Sequence, residues 1–375
     1  MLRLSFHAVA AALAVLVVAA PVSAQRGAAS ADSVTPISPP AHPLPPENAS
    51  AGVTKFSFVA YGDTRGEFDG TYVNTSHMSV VAEMIRRIRA RAGTDSAIKF
   101  VVQSGDAVLD GRRADMLNVS YVPVVNQLTA ADVPYYLAVG NHDVRSSDSD
   151  RVKGLKNYFA ANAKLIPPDG SPRRLNGYPT YAIAYGNTFL ILYDSDIAGD
   201  SVQYEWVKKQ LEGLDKRRYV NIIAVCHHPT FSSGPHGGSN VESQTQIIRD
   251  TYMPLFRKYH VKLLLTGHEH LFEHWVEQYT DSTGRHRLDE IVSGGGGAPL
   301  YGYQGEPNLT EYRRANAAAR LTVTHLVRPA MDPGGNPFHF VIVNVDGSKI
   351  SLQVVAPYWG ADFNPYRANS VTISP

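Results

Sequence analysis

"LAVGNHDV", Leu137 to Val144, is an apolar run that breaks into a glycine, an amide, an imidazole and a carboxylate. The run reads as the last turnless stretch of a buried strand, and the polar cluster stands at that strand's carboxyl end. Four other stretches share the plan. "KFSFVAY" is followed by Gly62-Asp63-Thr64-Arg65, "IKFVVQ" by Ser104-Gly105-Asp106, "VNIIAVC" by His227-His228-Pro229, and "VKLLLT" by Gly267-His268-Glu269-His270. Carboxyl ends of strands in an open α/β sheet share one edge, so the five polar groups are expected to converge on one crevice.

Between these runs, "SVVAEMIRRIRAR" and "SVQYEWVKKQLEGL" repeat apolar residues three and four apart, the spacing of helices. Strands alternating with helices predict α/β layers. Two further segments predict hairpins: "TYAIAYGNTFLILYD" turns at Gly186-Asn187, and "FHFVIVNVDGSKISLQVV" at Asp346-Gly347. The sheet system is therefore mixed. No internal repeat or second linker divides residues 54–375.

With 375 residues and 44% hydrophobic composition, the chain can bury a sizeable core. Lys plus Arg (35) nearly cancel Asp plus Glu (34), so no net field holds a nucleic-acid backbone, and a nucleic-acid partner is not expected. Arg3 precedes an apolar stretch from Ala8 to Ala20 that ends in small residues at Val22-Ser23-Ala24. Residues 1–24 thus read as a secretory signal, with an uncleaved anchor as the alternative, and the mature protein is expected in the periplasm or outside the cell, free of the membrane. Residues 25–53, rich in Pro, Ala and Ser, read as a linker, and 54–375 as the catalytic domain. Cys226 is the single cysteine, which excludes an intrachain disulfide. It reads as a small buried hydrophobe.

Carboxylate oxygens and imidazole nitrogens in one place are ligands for Zn, Mn and Fe, and a carboxylate can bridge two ions. Two such ions clamp a phosphoryl group and acidify a water, which is the chemistry of phosphoester hydrolysis. The ordered motifs "GDTR", "GDAVLDG", "GNHD", "HHP" and "GHEH" resemble those of the calcineurin-like metallophosphoesterase superfamily over roughly residues 56 to 300. "GHEHLFEHW" followed by "SGGGGAPLY" is most similar to the purple acid phosphatases and their bacterial relatives.

The resemblance implies a β-sandwich of two mixed sheets flanked by helices, with the metals at the carboxyl ends of strands. It implies two divalent or trivalent transition-metal ions, of Fe, Zn or Mn. Asp63 and His270 would bind the first ion, Asp106 both, and Asn141, His227 and His268 the second. His142 would be the general acid or a donor to the phosphoryl oxygens, and Asp143 would orient its ring. Apart from the resemblance, His236 lies in a Gly-rich loop shortly after "HHP" and is expected to contact the substrate phosphate, with an ordinary loop histidine as the alternative. A small phosphomonoester is the expected substrate. A phosphodiester or nucleotide substrate, or phosphate binding without catalysis, are the alternatives.

Two positions depart from the family's pattern. Arg65 stands where the superfamily has a histidine, and Leu109 where purple acid phosphatases have a tyrosine, so the first ion lacks an expected ligand. Arginine carries only donors and cannot ligate a cation. The expectation is that its guanidinium turns from the metal and grips the substrate phosphate, with a weakened first site as the alternative. His228 is expected to point away from His227, since adjacent strand residues face opposite sides. His274 reads as structural, and Gly294 to Gly297 as close-packed backbone rather than a P-loop.

Overall fold

The computed structural model describes residues 33–145, 148–238, 241–358, 363–366 and 371–373. The strands are β1 (Lys55–Tyr61), β2 (Ile98–Gln103), β3 (Tyr135–Leu137), β4 (Tyr181–Tyr185), β5 (Thr188–Leu192), β6 (Asn221–Val225) and β7 (Leu263–Thr266). They continue with β8 (Phe272–Asp281), β9 (Gly284–Ser293), β10 (Thr322–Val327), β11 (Phe340–Asp346), β12 (Lys349–Val355) and β13 (Val371–Ile373). They form a six-stranded sheet in the order β13-β12-β11-β1-β2-β3 and a seven-stranded sheet in the order β10-β8-β9-β7-β6-β5-β4. Both are mixed: β1, β2 and β3 run parallel, as do β5, β6, β7 and β9, while the hairpin partners are antiparallel.

Burial explains the uninterrupted apolar runs. On β6, Ile223 and Val225 enter the core between the sheets, whereas Ile222, Ala224 and Cys226 enter a second core shared with Val207 and Leu211 of the helix Ser201–Glu212. A strand covered on both faces has no polar face to show. Phe56 of the first sheet meets Tyr185 of the second edge-on at 4.9 Å, an arrangement favoured by the ring quadrupoles. Helices Thr75–Arg91 and Val122–Ala130 cover the outer side of the first sheet, burying Val80, Met84, Val125 and Leu128.

Both anticipated hairpins form, with Tyr185 paired to Thr188 and Asp346 to Lys349. The hairpin β8–β9, of two ten-residue strands, was not legible in the sequence. Glu273, Glu277 and Glu290 lie on one buried face and Asp289 on the other, and those carboxylates erase the apolar alternation that marks a strand.

The Pro-rich stretch is no free tether from Ser33 onward. Val34 and Ile37 are buried in the main core, and Thr35 and Ser38 donate their backbone N–H groups to the Asn118 and Asn126 side chains. Apolar residues spaced between prolines let an extended chain lie along the body while side-chain amides satisfy its backbone. Residues 1–24, read as a signal, lie outside the described residues. Among the described residues, no helix is long and apolar enough to cross a membrane.

Candidate metal centre

The five strand-end motifs meet, but across two sheets rather than along one edge. Asp63, Asp106 and Asn141 follow β1, β2 and β3 of the first sheet; His227, His268 and His270 follow β6 and β7 of the second. The seam is tied directly, because the Asp63 carboxylate accepts the His268 backbone N–H at 3.0 and 3.1 Å. Asp63, Asp106 and His268 all have positive φ, at 60°, 56° and 69°. Such non-glycine conformations cost of order 1–3 kcal/mol and persist where the surroundings over-determine them. Gly105, at φ +115°, permits the close approach: a Cβ there would lie 2.8 Å from both the Gly140 nitrogen and His227 Nδ1.

One group of donors consists of Asn141, His227 and His268, with Asp106 at its edge. His227 Nδ1 faces the Ser104 carbonyl at 3.1 Å, so it carries the ring proton and donates it. Burial holds the ring neutral, which leaves Nε2 as a bare lone pair. That nitrogen lies 3.0 Å from Asn141 Oδ1, 3.3 Å from Asp106 Oδ1 and 3.2 Å from His268 Nδ1. His268 turns its Nε2 to the Glu242 carboxylate at 3.0 Å, so its Nδ1 is bare as well. Asn141 Oδ1 and His268 Nδ1 thus face the bare His227 Nε2, beside Asp106 Oδ1, which also accepts the His142 backbone N–H at 2.9 Å. A transition-metal cation fits that donor set in number and type.

The other group is Asp63, Asp106 and His270, whose ligand atoms lie within 4.8 Å of one another. His270 donates Nδ1–H to the Pro299 carbonyl at 2.7 Å, leaving Nε2 bare, and its ring stacks on Tyr301 at 4.1 Å. Burial and the adjacent Asp106 push the Asp63 carboxyl well above the usual range, the response of a buried acid that lacks a full countercharge. Here the expectation for Arg65 is corrected. Its guanidinium does not turn away: Nη2 lies 3.4 Å from His270 Nε2, and Nε 3.5 Å from Asp106 Oδ2. The three residues could hold a metal ion, and a fixed cation already lies among them.

His142 stands beside both groups, its Nε2 3.9 Å from Asp106 Oδ2. Its Nδ1 donates to the Leu109 carbonyl at 2.7 Å, and burial lowers its pKa. Leu109, which lacks the tyrosine's ligand, therefore acts through its backbone. Asp143 was expected to orient that ring, and it does not. Its carboxylate accepts the backbone N–H groups of Gly140, Asp106 and Ala107 at 2.9 to 3.0 Å, pinning two of the strand-end loops together.

His236 packs its ring 4.5 Å from His268, and Glu269 lies 3.4 Å from its Nδ1, the largest cause of its raised pKa. His228 turns its Nδ1 to Ser195 Oγ at 2.9 Å and its Nε2 toward Glu242 at 3.8 Å, in a second donor set with Glu242 and His268. His274 is held by Asp289 and Tyr366.

Several residues at the centre gave no sequence signal. Asn74 caps the helix Thr75–Arg91 with its oxygen while its amide holds the Thr64, Arg65 and Gly297 carbonyls. Glu290 accepts the N–H groups of Thr230 and Phe231, Glu273 that of Ser233 and Glu269 that of His236, so three buried carboxylates grip the loop that carries His236. Each partner is distant in sequence, which is why no local motif announces them.

Residues 57–272 match the family model described as calcineurin-like phosphoesterase. The chain belongs to the calcineurin-like phosphoesterase family. Among curated relatives of this phosphoesterase, probable purple acid phosphatase 20 of Arabidopsis thaliana is 27% identical over 160 residues, covering 41% of this chain and 35% of the relative. Fe(3+)-Zn(2+) purple acid phosphatase 12 of the same plant is 30% identical over 143 residues, 37% of this chain and 29% of the relative. The chain thus spans about a third of the length of these relatives. A purple acid phosphatase from yellow lupin seeds superposes with a TM-score of 0.61 at 19% identity, covering 86% of this chain and 54% of the lupin chain. The shared fold is the two-sheet sandwich with flanking helices.

Proposed function

We propose that this phosphoesterase-family chain is a metal-dependent hydrolase of small phosphomonoesters, working in the periplasm or outside the cell. The observation that carries the reading is a convergence of acceptors: Asn141 Oδ1, His268 Nδ1 and Asp106 Oδ1 lie 3.0, 3.2 and 3.3 Å from the bare His227 Nε2. An ion held by these four residues supplies Lewis-acid polarisation of a phosphoryl oxygen and a water acidic enough to ionise near neutral pH. The same donors accept Zn, Mn and Fe, and the iron–zinc pair in the name of one relative supports that range.

The chain's own residues do the rest. His142, with its Nδ1–H committed to Leu109, presents Nε2 to the cleft as a lone pair; a proton taken up there gives the imidazolium that protonates the leaving oxygen or donates to the phosphoryl oxygens. His236, its pKa raised by the hydrogen bond to Glu269, offers an imidazole contact to the phosphate. The signal-like N-terminus supports the location. Loading the purified chain with Zn²⁺ or Mn²⁺ and supplying p-nitrophenyl phosphate beside bis(p-nitrophenyl) phosphate tests the reading. Monoester turnover that EDTA abolishes and metal restores is the expected result. Turnover of the diester alone makes the chain a phosphodiesterase; phosphate binding by the loaded chain with turnover of neither makes it a binding protein.

A further inference from the structure

The two donor groups differ in one respect that follows from this chain's own sequence, the guanidinium lying among Asp63, Asp106 and His270. We propose that Arg65 is the resident cation of this group, so that the chain binds one metal ion, at Asn141, His227, His268 and Asp106, and Arg65 supplies the second positive charge of the centre. The proposal rests on the metal-dependent reading above and specifies its charge.

Position comes first. The Arg65 backbone is tethered at both ends of the residue: its N–H donates to the Asp106 carbonyl at 3.3 Å, and its carbonyl accepts Asn74 Nδ2 at 3.2 Å. The side chain therefore leaves a fixed Cα into the cleft, and it is 14% exposed. Nη2 faces the lone pair of His270 at 3.4 Å, the lone pair an ion would take at about 2.0–2.1 Å. The Nε atom is buried beside Asp106 without a hydrogen-bond partner, held there by charge rather than by a directed bond.

Chemistry decides between the occupants. A guanidinium cannot lose its proton to make way, so an ion entering this group meets a permanent like charge among its ligands. The shared carboxylate already faces Arg65, whose Nε lies 3.5 Å from Asp106 Oδ2. Among the described residues, the ring nitrogens of His227 and His268 meet Ser104, Asn141, Glu242 and each other rather than an arginine or lysine. The planar fork also suits a phosphate oxygen, so its free edge serves the substrate where an ion would otherwise.

Metal content tests this without turnover. The full chain, loaded with Zn²⁺ and dialysed, is expected to retain about one ion by elemental analysis, and Arg65→His, which replaces the cation by a ligand, about two. Two ions on the unaltered chain overturn the proposal, as does one ion on a folded Arg65→His. Should that variant fail to fold, Arg65→Ala with Mn²⁺ replaces it: an electron paramagnetic resonance spectrum of a coupled pair supports the proposal, and a lone-ion spectrum overturns it. The single ion of the unaltered chain should survive Asp63→Asn and be lost in Asn141→Ala; the reverse pattern overturns the assignment. A loaded one-ion chain that hydrolyses no phosphoester refutes the proposed function and leaves this charge substitution standing.

Discussion

The Asp63–Asp106–His270 group and the Asn141–His227–His268 group lie side by side, share Asp106, and draw on the same ligand chemistry. The first is rich in charge and already contains a cation; the second is almost uncharged and contains none. The composition of ligands therefore does not decide where an ion sits. What decides is whether the lone pairs are spent, and His270 spends on Arg65 what His227 and His268 keep.

That comparison can be broken most forcefully at His142, which faces both groups. Replacing it by Ala should lower kcat by roughly 10²- to 10⁴-fold while bound metal stays unchanged. Steady-state kinetics with elemental analysis on one sample checks this; unchanged kcat with chemistry rate-limiting removes His142 from the reaction. Asp106→Asn comes next. It deletes the charge common to both groups, so metal affinity should fall by at least about 10- to 100-fold, more than for Asp63→Asn, as read by competition with a chelating dye. Equal losses would mean that Asp106 is not the shared residue.

Two smaller effects sharpen the contrast by leaving the donors alone. Glu290→Ala strands the buried N–H groups of Thr230 and Phe231, at a cost of about 1–3 kcal/mol, which thermal unfolding would register. Its metal content should match that of the unaltered chain; a loss of metal would show that the His236 loop also shapes the ion site. The smallest effect belongs to Glu47, far from both groups. The hydrogen bond from Arg173 holds its carboxyl below the usual value against a smaller opposing effect of burial. A depressed folded pKa means stability that is present above the unfolded value near 4.5 and is lost as pH falls through the folded one. Since this pair is partly exposed and screened, Glu47→Gln should cost only about 0.5 kcal/mol at pH 7 and nothing once the pH is well below 4. A melting-temperature difference that persists in acid would place the effect in packing rather than in charge.

How much of this was legible beforehand varies by element. The runs that became β1, β2, β6 and β7 were plain because a strand buried on both faces is apolar throughout. Hairpin β8–β9 was hidden because two of its carboxylates, Glu273 and Glu290, are paired with loop N–H groups from residues 230–233, and such partners have no fixed sequence offset. Asp143 misled for the same reason: adjacency to His142 suggested the ring, while the fold brought three closer donors to its oxygens.

By itself the sequence determined which chemical groups end each strand, since a buried run must stop where polar atoms begin and the motifs stop there in order. Only the tertiary structure decided that those ends belong to two facing sheets, that His227 and His268 turn their unprotonated nitrogens to one point, and that Arg65 lies among the donors of the other group. These are facts of proton placement and direction. They depend on which carbonyl or carboxylate meets the far side of each ring, and such partners are assigned only when distant segments pack.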